Sequence, residues 1–445
     1  LSKAGTLRVA APSTGSRVGL ALAGGGPLGA IYEIGALVAL EEALPDLAVT
    51  DLDGYVGVSA GALVAAALAN GMTPRQLCAA FIEGDGPRAD RIRPSLFYRP
   101  ALGEYAARLA RLPGLLAQAA AGYAFGRRSW LSALERLAQA LPTGLFTNAP
   151  LEARLREVLS APGRSNDFRA LRRRLVVVAT DLDSGAAAPF GKPGWDSVPI
   201  SQAVAASAAL PGLFPPVPIA GLGGSNDTRW YVDGALKKTL HARVLLEMGL
   251  DLVLCLNPLV PFHATPAVAG PAVQPRHHRV LGRGRIPELV RGGLPVVLSQ
   301  TFRTLIHSRL ELGLEGYKVS HPGTDIVLLQ PDQGDPELFL ANLFSYSQRR
   351  AVAEHAYQHT RADLRTRRGS LAPLLARHGL KLDDAVLDDA GRRLLRPRRW
   401  AAPRGWLADA AARVPPLAEA TEAARALRRL DEVLADLERM VAARA

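Results

Sequence analysis

Cysteine is almost missing from this 445-residue chain. Cys78 and Cys255 are the only two, too few for a disulfide framework or a tetrahedral thiolate zinc site. So few thiols point to a reduced, bacterial cytoplasmic or membrane-peripheral setting. The chain begins at Leu1, which leaves secretion open, since a targeting leader could precede it. Lysine is nearly as scarce, with six residues against 47 arginines. Such an Arg-rich, Ala-rich, Lys-poor balance fits a GC-rich genome better than a nucleic-acid partner. The net charge of +12 is spread along the chain rather than gathered into a phosphate-tracking face. Peripheral contact with an anionic membrane fits that charge and would be salt-sensitive. Long apolar runs are also lacking. None approaches the ~20 residues of a membrane-crossing helix, and Leu112–Phe125 is interrupted by Pro113, Gly114, Gln118 and Gly122.

What remains is an ordinary globular mixture, 48 % hydrophobic and 21 % charged, long enough for two or three domains at roughly 150 residues each. Residues 1–16 carry no periodicity and read as a lead-in. Val18–Ala23 is an apolar run of buried-strand length, ended by Gly24-Gly25-Gly26, with Pro27 suited to the first turn of a helix. Tyr55–Val58 is a second strand feeding Ser59 and a small-residue helix, Ala60–Asn70. Strand, helix, strand is the parallel crossover unit. Further strands are expected at Leu175–Thr180, Trp230–Asp233, Leu252–Leu256 and Ile326–Leu329, with helices at Ser201–Ala209, Ala242–Met248, Leu298–Leu314 and Ser347–Arg365. The stretch 84–150 looks irregular, and 258–287 reads as a surface excursion. The pattern predicts an α/β domain over 17–365 followed by a helical extension over 366–445.

Gly57-Val58-Ser59-Ala60-Gly61 places a serine on a sharp strand-to-helix turn, where its hydroxyl is forced outward and helix N–H groups favour developing negative charge. Gly24-Gly25-Gly26-Pro27-Leu28-Gly29 has the spacing of a dinucleotide-binding turn. The acid that should end the next strand to hold a ribose is replaced by Ser59. Two glycine turns feeding neighbouring helices suit acyl transfer, one carrying a nucleophile and the other offering backbone donors. Pro27 cannot donate, so Gly25 and Gly26 are the expected donors, with Ala60 beside them. The serine needs a base. Of nine histidines, His321 before Pro322 is the best placed, and it looks like a loop residue. Val232-Asp233-Gly234 puts a carboxylate at a strand end instead. Asp181 and Asp183, two acids on a loop, read as capping residues rather than as a cation site.

These stretches resemble the patatin-like phospholipase family of lipid acyl hydrolases. The likeness is carried by the glycine turn with Ala30–Leu37, the Gly57–Gly61 elbow, Ala179–Gly185, Ala203–Pro216 and Tyr231–Ala235, in the family's order. The resemblance implies a three-layer α/β sandwich with a mainly parallel central sheet. It implies Ser59 as nucleophile, Asp233 as base without histidine, and Gly24, Gly25 and Gly26 as the oxyanion turn. The substrate would be a phospholipid or lysophospholipid ester, with no metal or cofactor. Leu28 stands where the family often has Arg or Lys, which bears on preference for charged headgroups. An unperturbed aspartate, pKa ~3.9, is a weak base at pH 7, so an apolar acyl pocket is expected to raise Asp233. Phe97, Tyr98, Tyr123, Phe125 and Trp130 either shape an acyl channel or belong to a packed insertion. The arginines of Arg283–Leu310 either dock on anionic lipid or form a solvated polar face. Two other readings stay open, a His321-dependent esterase and a nucleotide- or lipid-binding module with an inert serine.

Overall fold

The computed structural model describes residues 15–87, 90–91, 94–124, 140–221, 227–261, 289–333 and 348–395. The expected lead-in before residue 15, most of the 258–287 excursion and the helical extension past residue 395 lie outside them.

The first strand, β1 (Val18–Leu22), is buried along its whole length and runs through the glycine turn into α1 (Gly26–Ala43). β2 (Gly54–Gly57) feeds α2 (Ala60–Ala69) in the same way. Then come α3 (Leu102–Ala124), α4 (Ala149–Leu159), β3 (Arg174–Asp181), β4 (Ala187–Phe190) and α5 (Ile200–Ser207). β5 (Val217–Ala220), β6 (Thr228–Asp233), β7 (Leu252–Leu256), α6 (Gly293–Ser320) and β8 (Asp325–Leu329) follow. The helices α7 (Arg349–Thr366), α8 (Arg368–Ala376) and α9 (Asp384–Asp388) end the described part.

The strands form one sheet in the order β5-β6-β3-β2-β1-β7-β8, with β4 also paired to β3. From β3 to β8 that path is parallel, whereas β6 runs antiparallel to β3 and to β5. Successive side chains enter opposite layers, as a pleat requires. Leu20, Leu22, Tyr55, Leu175, Val177 and Leu254 join one core with α1, α2, α5 and α7. Ala21, Val56, Val58, Val176, Val178 and Cys255 join a second with Leu245 and with Leu310 of α6. Both faces are covered, which explains why the strands read as unbroken apolar runs. The result is a three-layer α/β sandwich.

Residues 367–395 stay on this body. Asp383 donates its N–H to the carbonyl of Ala43 at 2.8 Å, and the Arg392 Nε reaches Glu42 Oε2 at 2.6 Å. The segment expected to be irregular contains α3, whose Pro113 sits inside the helix. Proline there weighed against a helix because it removes one backbone donor. α6 runs beyond its expected Leu298–Leu314 in both directions.

Candidate active site

Sheet register gathers the candidate residues. Leu22 pairs with Gly57, Gly57 with Val177, and Ala179 with Asp233. Gly24, Ser59 and Ala179 each lie two residues past that Leu22–Gly57–Val177 row. They come to one level at the carboxyl edge of β1, β2 and β3, with Asp233 opposite Ala179. Parallel α/β sheets place ligand sites at this edge.

Ser59 takes φ 53° and ψ −120°, a conformation that costs a residue with a Cβ roughly 1–3 kcal/mol. Its neighbours enforce it. Val58 donates to the Leu22 carbonyl at 3.1 Å and Gly61 to that of Ala23 at 3.2 Å. The turn lies so close to β1 that a Cβ at Gly61 would stand 2.5 Å from the carbonyl oxygens of Leu22 and Ala23. The Ser59 N–H donates to Ser207 Oγ at 2.8 Å, and that hydroxyl donates on to the Val178 carbonyl at 2.7 Å. Ser207, at the end of α5, therefore pins the bend from below. Its place in the Ala-rich run 203–209 was visible in the sequence, but a partner 148 residues away was not.

Asp233 ends β6 and is 3 % exposed. Its own N–H donates to Ala209, and Oδ1 accepts the Ala235 N–H at 2.8 Å. Ser59 stands near enough to the same carboxyl group for its side chain to pull the carboxyl pKa down. Burial removes solvation from the carboxylate and pushes its pKa from 3.8 up to about 6, against the opposing pull of the Ser59 side chain and the Ala235 N–H. The carboxylate is thus a stronger base than a solvated one and still ionised at neutral pH.

The glycine turn adjoins the serine, since a Cβ at Gly24 would lie 3.1 Å from Ser59 Cβ and 3.2 Å from Ala235 Cβ. Gly26 has φ 60°, open to glycine at little cost. The N–H groups of Gly25, Gly26 and Ala60 stand at helix starts, where no helical carbonyl serves them. The positive ends of α1 and α2 lie behind them, a setting that favours negative charge.

These groups line a cavity of about 330 Å³ together with apolar side chains such as Ile31, Leu63, Phe81, Leu151, Val204 and Phe214. Phe97 and Tyr98 also line it, as expected for a channel. The side chains of Tyr123, Phe125 and Trp130 lie outside what the structure describes. Among the described residues no histidine lines the cavity. His321 follows the carboxyl end of α6, its ring nitrogen 2.8 Å from Ser320 Oγ, so the geometry does not bring it to Ser59. Asp181 accepts the N–H groups of Asp183 and Ser184 and pairs with Arg229 at 3.2 Å, a turn cap rather than a ligand set. No cluster suited to a metal ion is present among the described residues.

Three polar residues escaped the sequence reading. Asn148 lines the cavity, with Nδ2 donating to the Ala205 carbonyl at 2.9 Å and Oδ1 without a hydrogen-bond partner. Arg303 of α6 lines it as well and is 5 % exposed, so this arginine does not belong to a solvated polar face. Glu33 of α1 is fully buried, and burial holds its carboxyl pKa well above the ordinary range, with only partial relief from the nearby Ala23 N–H. Leu28 is packed in the core beneath the turn and does not line the cavity.

No curated protein sequence matches the chain. Among solved structures, VipD from Legionella pneumophila aligns over 77 % of this chain and 68 % of its own, at 18 % identity and TM-score 0.31. The type III effector ExoU aligns over 78 % of this chain at 18 % identity and TM-score 0.26, and the match spans only 54 % of that chain. Full-length ExoU from Pseudomonas aeruginosa, in complex with SpcU, aligns over 83 % of this chain and 66 % of its own, at 17 % identity and TM-score 0.22. The sequence model described as Patatin-like phospholipase matches residues 20–246, a span that holds the glycine turn, the serine elbow and Asp233. More than half of the sequence is covered, and the chain belongs to the patatin-like phospholipase family.

Proposed function

We propose that this protein is a serine lipid acyl hydrolase of the phospholipase A or lysophospholipase type. The observation that carries the reading is Ser59, held in a strained bend, lining one apolar cavity with the buried Asp233 carboxyl. In this reaction Asp233 accepts the hydroxyl proton as Ser59 Oγ attacks an ester carbonyl. The developing oxyanion takes hydrogen bonds from the Gly24–Gly26 turn and the Ala60 N–H, each such donor being worth about 3–4 kcal/mol in the transition state. Proton return to the leaving alcohol frees it and leaves an acyl-serine. Water, deprotonated by Asp233, then releases the fatty acid.

The cavity opens beside exposed apolar side chains of α6. Leu298 and Phe302 line it and are still 45 % and 43 % exposed. Together with the net charge of +12, they fit a protein that works at an anionic lipid surface. No helix among the described residues is long and apolar enough to cross a membrane.

The test is fatty-acid release from lysophospholipid, diacyl phospholipid and p-nitrophenyl esters by wild type, Ser59→Ala and Asp233→Asn, each shown to be folded. Loss of release in both variants is expected. Full activity in Asp233→Asn would overturn the pairing, and a folded wild type inert on every ester, and unlabelled by a fluorophosphonate, would overturn the hydrolase reading. Sedimentation with anionic and with zwitterionic vesicles at low and high salt tests the surface contact. Binding indifferent to both variables would refute it.

A further inference from the structure

We propose that Arg303 binds the phosphate of a phospholipid headgroup in the cavity, and so sets which esters are hydrolysed well. The inference rests on the hydrolase reading for its substrate and on the geometry of α6 for its residue.

The cavity wall is apolar apart from a few groups whose chemistry differs. Ser59 and Asp233 belong to the reacting pair. Asn148 has its Nδ2 bonded to the Ala205 carbonyl, so the atom it can offer is an acceptor, Oδ1. Neither it nor the Asp233 carboxylate can hold an anion. Arg303 is the cationic residue among the described residues that line the space. Leu298, Ser299, Phe302, Arg303 and Ile306 recur at helical spacing and turn one face of α6 to the cavity. A leucine in place of Arg303 would match that face, whereas an arginine brings a positive charge to a largely apolar wall.

Two features keep the guanidinium in place and charged. Nη1 donates to the Val260 carbonyl at 3.2 Å, just past β7. Burial lowers its pKa only to about 10, so it is cationic throughout the range in which Asp233 can act as a base. A planar fork of N–H donors matches phosphate oxygens better than a point charge does. Phe302, next to it, is half-exposed at the opening. An acyl ester can therefore enter with its carbonyl at Ser59 while an anionic headgroup stays within reach of α6.

The experiment uses the full chain and a matched pair of single-chain esters, 1-palmitoyl-lysophosphatidic acid and 1-palmitoylglycerol. The readout is the ratio of their kcat/KM values in wild type, Arg303→Met and Arg303→Lys. Loss of a charge-assisted contact predicts a fall of about 10- to 100-fold in that ratio for Arg303→Met. The fall should be carried mainly by KM on the phosphate lipid, with Arg303→Lys intermediate. A ratio unchanged across the three proteins would reduce Arg303 to a structural residue and overturn the proposal.

A second arm needs no variant. Dodecylphosphate should inhibit p-nitrophenyl butyrate hydrolysis by wild type about tenfold more tightly than dodecanol does. Equal inhibition by the two would overturn the assignment. Calorimetric binding of dodecylphosphate to wild type and to Arg303→Lys separates this inference from the hydrolase reading. Binding weakened in the variant supports the anion site even if no ester is turned over.

Discussion

Lowering the pH from 7 to 5 should silence most of the hydrolysis by protonating Asp233. With its pKa near 6, about ten molecules in eleven carry the ionised base at pH 7 and about one in eleven at pH 5, a tenfold loss of kcat/KM. A solvated aspartate would still be more than about 90 % ionised at pH 5, so the position of the acid limb separates the two environments. The same burial appears in stability with a definite sign. The folded pKa lies above the unfolded one, so the stabilisation is complete below about pH 4 and is lost as pH rises through 6. For this 3 %-exposed group, the rise from 3.8 to about 6 is worth about 3 kcal/mol. Asp233→Asn should therefore unfold at a higher temperature than wild type at pH 8 and show no such gain at pH 4. The assays are p-nitrophenyl butyrate hydrolysis from pH 4.5 to 8 and thermal unfolding of both proteins over the same range. An acid limb at or below pH 4, or an Asp233→Asn advantage independent of pH, would refute the reasoning.

Ser207→Ala should lower kcat about tenfold or more with little change in KM, because it releases the bend that aims Ser59. It also strands the Ser59 N–H and the Val178 carbonyl, at about 1–3 kcal/mol of stability, readable by denaturant unfolding. Gly61→Ala sets a Cβ 2.5 Å from two backbone oxygens of the β1 turn and should cost about 3 kcal/mol or prevent soluble expression. A stable Gly61→Ala would mean that the elbow is looser than described. Glu33, whose carboxyl burial pushes well above the usual range, gives stability that is present below about pH 4 and is lost as pH rises. Glu33→Gln should flatten that slope, raising the unfolding temperature by about 2 °C at pH 8 and by less at pH 5.

Much of this architecture was readable before any coordinates. β1, β2, β7 and the Leu175–Ala179 stretch of β3 read as apolar runs because both faces are covered, and the glycine turns mark where β1 and β2 end. Ser59 and Asp233 could be paired because one lacked a base and the other ended a strand beside a glycine. Local pattern failed where the partner was remote. Ser207 looks like one more small residue in a helix until Ser59 is seen above it. Arg303 looks like a polar-face arginine until its turn of α6 is seen to face the cavity. α3 was hidden by Pro113, whose local penalty outweighed a periodic pattern that leaves Leu102, Leu109 and Leu116 exposed.

The place of β7 in the sheet bears on how this protein can be cut for study. A fragment ending at residue 246, where the family match stops, retains the turn, the elbow and Asp233. Yet β7 is the strand that hydrogen-bonds to β1 across five residue pairs, from Val18–Leu252 to Leu22–Leu256. Without it, β1 becomes a fully apolar open edge in what was the middle of the sheet, a template for strand addition between copies. Such a fragment should aggregate. A boundary drawn from sequence likeness would pass through the interior of the folding unit, and an expressible catalytic piece must extend at least past β8 at Leu329.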